Sequence, residues 1–396
     1  MNMKKLTLAV AGSAMMAGSA VADVKVGALM GFTGPIESLT VGIIRGAEIA
    51  VEEINAAGGV AGGNMVELVN ADTTCVDASA ASASADRLVN AEKVAAIVGA
   101  LCSGATIAAA NSAAIPNNVV MISPASTSPA VTSLDDNDLV FRTAPSDARQ
   151  GEVLADVLRE RGVERVAVTY VNNDYGKGFN DAFSAAFAAV GGTVTGNQAH
   201  EDGKADYRAE IAALAAGGAE MLVVLAYLDG SGQTIIRQAI EEGDFSRFAG
   251  GDGMVGQSLV DAIGDELEGM VATQPGGDTD GAGLFAALVE KRGATVDGPY
   301  QGEAYDAMAL IALAMQKKGS VGRDGMVQAI RDVAGEPGEV ILPGELAKGF
   351  EILAGGGDVN YEGATGVEFN DAGDPPGSYL VMEVAGGKFE QKAVVK

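Results

Sequence analysis

The sequence predicts an α/β protein with two lobes, each a doubly wound parallel sheet covered by helices, joined by a three-segment hinge. Short apolar strand patterns alternate with helix patterns along most of the chain, which is typical of parallel sheets with both faces covered. The alternation runs in two series of similar length. With 396 residues, of which 48% are hydrophobic, the chain is long enough for two domains with their own cores.

The first series begins with the strand pattern at 24–29. After a polar loop comes a helix pattern whose apolar residues, among them Ile43, Ala47 and Ile54, follow the 3.6-residue period. Gly58 and Gly59 end this helix. The series continues with strands predicted at 64–72, 94–100 and 119–125, and with helices at about 77–91 and 104–114.

The second series begins near residue 146. Its predicted strands are 165–171, 193–199 and 219–227, and its predicted helices are 147–161, 176–190, 207–216 and 231–242. The last two strands, 378–384 and 388–394, have no helix between them. We expect these two strands to form a hairpin closed by Gly386 and Gly387.

Three segments are candidates for crossings between the lobes. The first is LVFRTAPSD, the second is a strand-like stretch at 269–274 that leads into QPGGDTDGAG, and the third is DVNYEGATG. These crossings predict lobe 1 at 23–143 and 276–362, and lobe 2 at 144–275 and 363–396.

The first 22 residues have the features of a cleaved secretory signal peptide. Lys4 and Lys5 form a charged start, residues 6–17 are apolar, and Ala20-Val21-Ala22 is a small-residue cleavage site. The apolar stretch is too short to span a bilayer, and no Cys follows it for a lipid anchor. We therefore expect an exported protein that resides in the periplasm.

The formal net charge is −27. Such a charge argues against nucleic-acid binding, which requires a basic surface, and against adsorption to anionic membranes. It favours solubility.

Cysteine and histidine are scarce. Cys75 and Cys102 form an even pair in an exported chain, which is interpreted first as a disulfide, with a catalytic thiol or half of a metal site as alternatives. His200, the only histidine, lies in a polar stretch, and we expect it at the surface. One histidine excludes a His-rich zinc site, and any Ser-His-Asp or Cys-His catalysis would have to use it.

Polar residues follow several predicted strands, at the edge where ligands bind in open α/β sheets. Ser103, Thr127, Tyr175 and Tyr227 all have this location. Each alone is equally consistent with an N-cap, a turn residue or a rim side chain. Their shared location favours a binding site.

The run GGDGMVG at 250–256 contains the pattern G-x-G-x-x-G of dinucleotide-binding loops. Its context does not fit, because the preceding stretch EEGDFSRFAG is polar and no acid follows at the required distance. Asp278 starts a calcium-like run, but the twelfth position is Val289 and not Glu. No P-loop or G-x-S-x-G motif occurs. We expect no cofactor, no metal and no catalytic residues, and we interpret Asp252 as facing a smaller ligand.

Several stretches in order resemble the periplasmic substrate-binding proteins of ABC transporters, in particular the branched-chain amino-acid (leucine/isoleucine/valine) binding family. They are GFTGP, RGAEIAVEEINAAGG, MISPASTSPAVT, VFRTAPSD, NNDYGKG and NYEGATG. The resemblance covers essentially the whole mature chain. It implies a type I periplasmic binding protein fold, an amino acid held between the lobes by hinge closure, a monomer, and delivery to ABC permease subunits.

The resemblance also implies roles for individual residues. Ser103 and Thr127 would hold the α-carboxylate of the ligand, with help from the dipole of the helix that follows Ser103. The carbonyl of Ala125 and the carboxylate of Asp252 would accept from the ammonium group. The remaining implied roles are closure of Tyr175 and Tyr227 over the ligand, and a disulfide between Cys75 and Cys102.

The chain departs from the family at Asp252, because the family's partner for the amine is Glu. The shorter side chain leaves open a tighter closure, a bridging water or a different ligand. Relatives of this fold bind amides, urea or aromatic acids. An exported sensor that reports to a membrane receptor is the alternative to a transport protein, and an exported enzyme is a further alternative against which the single histidine argues.

Overall fold

The computed structural model describes residues 23–296 and 298–396, so the expected signal peptide at 1–22 lies outside the described residues. The first sheet has five parallel strands in the order β2-β1-β3-β4-β5. Four helices connect and cover these strands. In chain order the elements are β1 Val24–Met30, α1 Glu37–Ala56, β2 Val66–Asp72, α2 Ala78–Asp86, β3 Ala96–Gly99, α3 Ser103–Ala109, β4 Val120–Ser123, α4 Pro129–Thr132 and β5 Val140–Arg142.

The second sheet has seven strands in the order β14-β13-β10-β9-β8-β6-β7, of which β10 to β7 are parallel. Its helices pack on both faces. The parallel strands and their helices are α5 Asp147–Glu160, β6 Arg165–Val171, α6 Asp174–Ala189, β7 Thr193–His200, α7 Arg208–Ala215, β8 Met221–Leu225, α8 Ser231–Glu242, β9 Phe248–Gly250, α9 Gln257–Ile263 and β10 Val271–Pro275.

After β10 the chain returns to the first lobe. Helix α11 is buried along nearly its whole length and is apolar on most sides, as expected of a helix enclosed by other elements. The returning elements are α10 Asp280–Lys291, α11 Gln301–Lys318, α12 Met326–Val333, β11 Glu339–Ile341, α13 Leu346–Ala354 and β12 Val359–Tyr361, and β11 pairs with β12 in a small parallel sheet.

The chain ends with a hairpin on the edge of the second sheet, formed by β13 Tyr379–Ala385 and β14 Lys388–Val395. Gly386 and Gly387 form the turn, with φ angles of 58° and 80°. Two positive φ angles in a two-residue loop are what a type I′ turn requires, and glycine adopts them at low cost. The predicted hairpin and its turn are confirmed.

The predicted fold class is confirmed, and the strands and helices of both series lie within about two residues of their predicted ends. The helices predicted at 77–91 and 104–114 begin as α-helix and continue with wider turns at Arg87–Ala91 and Ala110–Ala114. The lobe boundaries at 143, 275 and 362 stay a prediction.

A disulfide joins Cys75, which follows β2, to Cys102, which immediately precedes Ser103. The two Cα atoms are 5.3 Å apart, and the residues are 27 positions apart in sequence. This confirms the first interpretation of the cysteine pair. The bond fixes the backbone next to Ser103 to the neighbouring loop of the first sheet.

His200 is buried at the end of β7, so the expectation of a surface residue was wrong. Its ring lies between two hydroxyl groups, with Nδ1 2.7 Å from Thr169 Oγ1 and Nε2 3.0 Å from Ser231 Oγ. The edge of the ring packs against Tyr207. Burial lowers the pKa of His200 to about 4, although the carboxylates of Asp202, Glu201 and Glu210 act in the opposite direction.

We expect His200 to make the protein less stable in acid. Above pH 6.5 His200 is neutral in both the folded and the unfolded chain. Between pH 6.5 and 4 the unfolded chain binds a proton that the folded chain does not. The free energy of unfolding should therefore fall by about 1.4 kcal/mol per pH unit, or about 3 kcal/mol in total. Urea unfolding at several pH values measures this, and His200→Gln should lack that part of the decline. An identical decline in the variant would contradict the prediction.

Candidate functional site

A cleft of about 350 Å³, its open mouth included, lies where the carboxyl ends of the two sheets face each other. This volume is at the lower end of the range for small-molecule sites. The cleft is lined by Ile36, Leu39, Ile43, Leu101, Cys102, Ser103, Ala125, Tyr175, Tyr227, Asp252, Gly253 and Tyr300.

Five of the six residues predicted to bind a ligand line this cleft. Ser103 begins α3, and Ala125 follows β4 by two residues. Tyr175 lies in the first turn of α6, Tyr227 follows β8, and Asp252 follows β9. They converge because each follows a parallel strand, and such strands end at the same edge of a sheet.

Asp252 is buried and accepts hydrogen bonds from both lobes. Tyr300, which directly precedes α11 of the first lobe, donates its hydroxyl to Oδ2 at 2.6 Å. From the second lobe, Gln150 Nε2 and the Tyr175 hydroxyl donate to Oδ1 at 2.9 and 3.3 Å. The carboxylate therefore connects the lobes directly.

Thr127, the sixth predicted residue, lies behind the cleft and faces Asp147. Neither its hydroxyl nor either carboxylate oxygen of Asp147 has a hydrogen-bond partner of normal geometry in the described part of the chain, and the same holds for Gln150 Oε1. Burial raises the pKa of Asp147 well above its usual range, and the charge of Asp252 acts in the same direction. Burial also raises the pKa of Asp252, against its three hydrogen bonds.

Asp252 in the wall, with Asp147 and Gln150 Oε1 buried behind it, gives this end of the site an excess of acceptors. A carboxylate in such surroundings is stabilised by a cation that also donates hydrogen bonds. An ammonium group fits this requirement, whereas a ligand whose only charge is negative would be repelled.

Two tyrosines form one wall. The rings of Tyr175 and Tyr227 stack with centroids 5.3 Å apart and planes inclined by 19°. Asn173 donates to the Tyr227 hydroxyl at 3.2 Å, and the backbone N–H of Gly253 donates to the Tyr175 hydroxyl at 3.3 Å. These bonds hold both rings in fixed orientations over the cleft.

The opposite wall is aliphatic. Ile36 directly precedes α1, and Leu39 and Ile43 lie one turn apart within that helix. Leu101 follows β3. This wall offers contacts to a carbon chain and no hydrogen-bonding group from its side chains.

The lobes touch across the cleft. The backbone N–H of Asp229 donates to the Pro35 carbonyl at 3.1 Å, and the carboxylate of Asp229 accepts from the Ser38 N–H at 2.9 Å. On the other side, the Ser128 hydroxyl donates to the Asp174 carbonyl at 2.8 Å. The structure is therefore a closed arrangement of the two lobes.

The run GGDGMVG begins at the end of a short buried strand, β9, whose last residue is Gly250. A Cβ atom on Gly251 would lie 2.2 Å from the Phe179 ring, and one on Gly253 would lie 2.6 Å from the Ala226 carbonyl oxygen. These glycines therefore allow close packing within the lobe and leave no room there for a pyrophosphate.

Comparison with known proteins identifies the family. A family model described as "Periplasmic binding protein" matches residues 23–347. The chain belongs to this family. This periplasmic binding protein is 30% identical to Leu/Ile/Val-binding protein homolog 3 of Brucella melitensis over 346 residues, which cover 86% of this chain and 92% of that protein.

Two further similarities cover almost the whole chain. A leucine-binding protein of Thermotoga maritima has a solved structure with a TM-score of 0.79 and 26% identity, covering 94% of this chain and 98% of that one. The chemotactic signal transduction substrate-binding protein BasB of Halobacterium salinarum is 27% identical over 390 residues, covering 94% of this chain and 90% of that protein. In residues 23–296 and 298–396 of this periplasmic binding protein, no helix is long and apolar enough to cross a membrane.

Tyr300, Asp147 and Gln150 are polar residues of the site that the sequence did not indicate. Tyr300 lies directly before a helix of the returning chain, where no strand end marks the position. Asp147 directly follows Ser146, whose side chain caps α5, and so has the usual pattern of an acid in a first helical turn.

Proposed function

We propose that this protein captures an aliphatic α-amino acid between its lobes in the periplasm and delivers it to an ABC importer. One observation carries the proposal. The cleft has the buried carboxylate of Asp252 in its wall, with Asp147 buried behind it, and a separate aliphatic wall, within a volume that suits a compact ligand. The names of the Brucella and Thermotoga relatives are consistent with such a ligand.

In the proposed complex the ammonium group binds Asp252 and the Ala125 carbonyl. The ammonium group donates to the Asp252 oxygens that accept from Tyr300 and Gln150 in the structure, either in place of these two residues or in addition to them. The α-carboxylate is held by Ser103, whose hydroxyl accepts from the Ser128 N–H at 3.2 Å. Thr127, behind the cleft, does not reach the ligand in this arrangement. The side chain of the ligand packs against the aliphatic wall of Ile36, Leu39, Ile43 and Leu101.

Capture proceeds by hinge closure as a rigid-body movement of two lobes about three crossings. We place the three crossings at 143–145, 274–277 and 361–364. Tyr175 and Tyr227 close over the ligand, and no step of chemical catalysis is involved.

The amino-acid assignment can be tested with ligands that each lack one charged group. Leucine should bind and stabilise the protein, whereas 4-methylpentanoate, which lacks the amine, should bind at least about 100-fold more weakly because it leaves the buried carboxylate of Asp252 without its cationic partner. Leucinamide, which lacks the carboxylate, tests the role of Ser103. Isothermal titration calorimetry measures all three. Equal affinities for leucine and 4-methylpentanoate, or binding of benzoate but not of leucine, would contradict the proposal.

A second candidate function is a sensor that reports ligand binding to a membrane receptor. The similarity to BasB, named as part of a chemotactic signal transduction system, favours it. Reconstituted permease separates the two functions, since leucine-loaded protein should stimulate the ATPase activity of an importer and drive uptake into vesicles. Absence of uptake with every permease of the same cell, together with a receptor response, would favour the sensor.

A further inference from the structure

A second cavity lies beside the crossings between the lobes, on the other side of Tyr300 from the ligand cleft. We call it the hinge cavity. Its volume is about 630 Å³ with its open mouth included, and Tyr300 lines both this cavity and the cleft. Residues 274–277 of the second crossing line it, together with Ala364 and Thr365 of the C-terminal segment.

Glu303, in the first turn of α11, is the acidic residue in the wall of the hinge cavity. Its side chain is buried, with the residue only 6% exposed. Its own backbone N–H is beside the carboxyl group, but no other residue in the described ranges donates to it. Burial raises the pKa of Glu303 to about 8, and the charge of Asp306 on the same helix contributes.

The rest of the wall is largely apolar, with Phe285, Val296 and Leu380 among its residues. The amide oxygens of Gln274 and Gln301, two further residues of the wall, are buried away from the cavity. The hinge cavity thus presents one acid within largely apolar surroundings.

We propose that the hinge cavity is a second binding site, which takes a small primary amine with its ammonium group on Glu303 and its carbon chain against the apolar wall. A cation on Glu303 would stabilise its ionised form, which burial disfavours, and an ammonium group supplies a positive charge and three donors. An anionic ligand lacks both the positive charge and the hydrogen-bond donors of an ammonium group. The proposal rests on this cavity alone and does not depend on which ligand the main cleft binds.

The test uses n-butylammonium as the probe and n-butanol as a neutral control of similar size. Binding is followed by ligand-observed NMR in the wild type and in an Asp252→Ala protein, in which the main cleft lacks the acid expected to bind an amine. Three variants are made in the Asp252→Ala background. Glu303→Gln removes the charge, Ala282→Leu fills the cavity, and Glu362→Gln makes the same change of acid to amide at an exposed position near the third crossing.

We expect saturable binding of n-butylammonium in the Asp252→Ala protein, with n-butanol at least about 10-fold weaker. Glu303→Gln should weaken n-butylammonium binding at least about 10-fold and remove its advantage over n-butanol. Ala282→Leu should abolish binding of both, and Glu362→Gln should bind like its parent. The proposal is overturned if n-butylammonium does not saturate, if n-butanol binds equally well, or if Glu303→Gln or Ala282→Leu leaves the affinity unchanged.

Discussion

Replacing Asp252 with asparagine should weaken leucine binding by at least about 30-fold while the protein remains folded. The carboxylate is the acceptor that the first lobe, through Tyr300, and the second lobe, through Gln150 and Tyr175, hold in place at the acidic end of the cleft. Removing one partner of a buried, hydrogen-bonded charge pair costs about 2–5 kcal/mol, and each 1.4 kcal/mol is a factor of ten. Asparagine keeps the shape of the side chain and one acceptor oxygen. A loss of affinity would therefore measure the contribution of the negative charge.

Calorimetry with leucine measures this effect, and urea unfolding of the same variant checks its fold. Asp265→Asn is the matched control, since Asp265 is exposed after α9 and the change removes the same charge outside the cleft. The control should bind leucine like the wild type. If Asp252→Asn also retained wild-type affinity, Asp252 would have no role as the partner of the amine, and Asp147 would become the candidate.

The parts of the fold that could be predicted are those whose sequence signal is local. The helices that flank β6 are long enough to show the 3.6-residue period, and the bounds of β6 match the prediction. The strands β5 and β9 have three residues each, too few for a pattern, and their strand geometry depends on pairing with β4 and β8. His200 was misjudged for a related reason, since the groups that enclose it, Thr169 and Ser231, are each 31 residues away in sequence.

The residues of the candidate site likewise divide into those that could be predicted from a local signal and those that could not. Residues directly after a strand could be predicted, because parallel topology alone brings strand ends together. Tyr300 reaches Asp252 only because the chain returns to the first lobe, and that return has no local signature. The acidic character of the cleft likewise depends on Asp147 and Asp252 being buried together, 105 positions apart by their residue numbers, and burial is a property of the packed lobes.

The ion pair between Arg142 and Asp374 should have the largest single effect on stability. Arg142, at the end of β5, is fully buried, and its Nε and Nη2 donate to the two carboxylate oxygens of Asp374 at 2.6 and 2.7 Å. Its Nη1 donates to the carbonyl groups of Ser126 and Ser128 at 3.2 and 3.0 Å. The pair therefore joins the C-terminal segment to the backbone on both sides of Thr127.

We expect Asp374→Ala to lower the free energy of unfolding by about 3–5 kcal/mol, because it leaves a buried guanidinium without a counter-charge. Urea unfolding measures this loss, with Asp371→Ala as the exposed control three residues away. The double variant Arg142→Met, Asp374→Leu should recover much of the loss, since an apolar pair leaves no charge buried. It should still bind leucine more weakly than the wild type, because the carbonyl groups beside Thr127 lose the donor that fixes them. If Asp374→Ala lost less than about 1 kcal/mol, or if the double variant bound leucine as well as the wild type, the pair would not hold this loop.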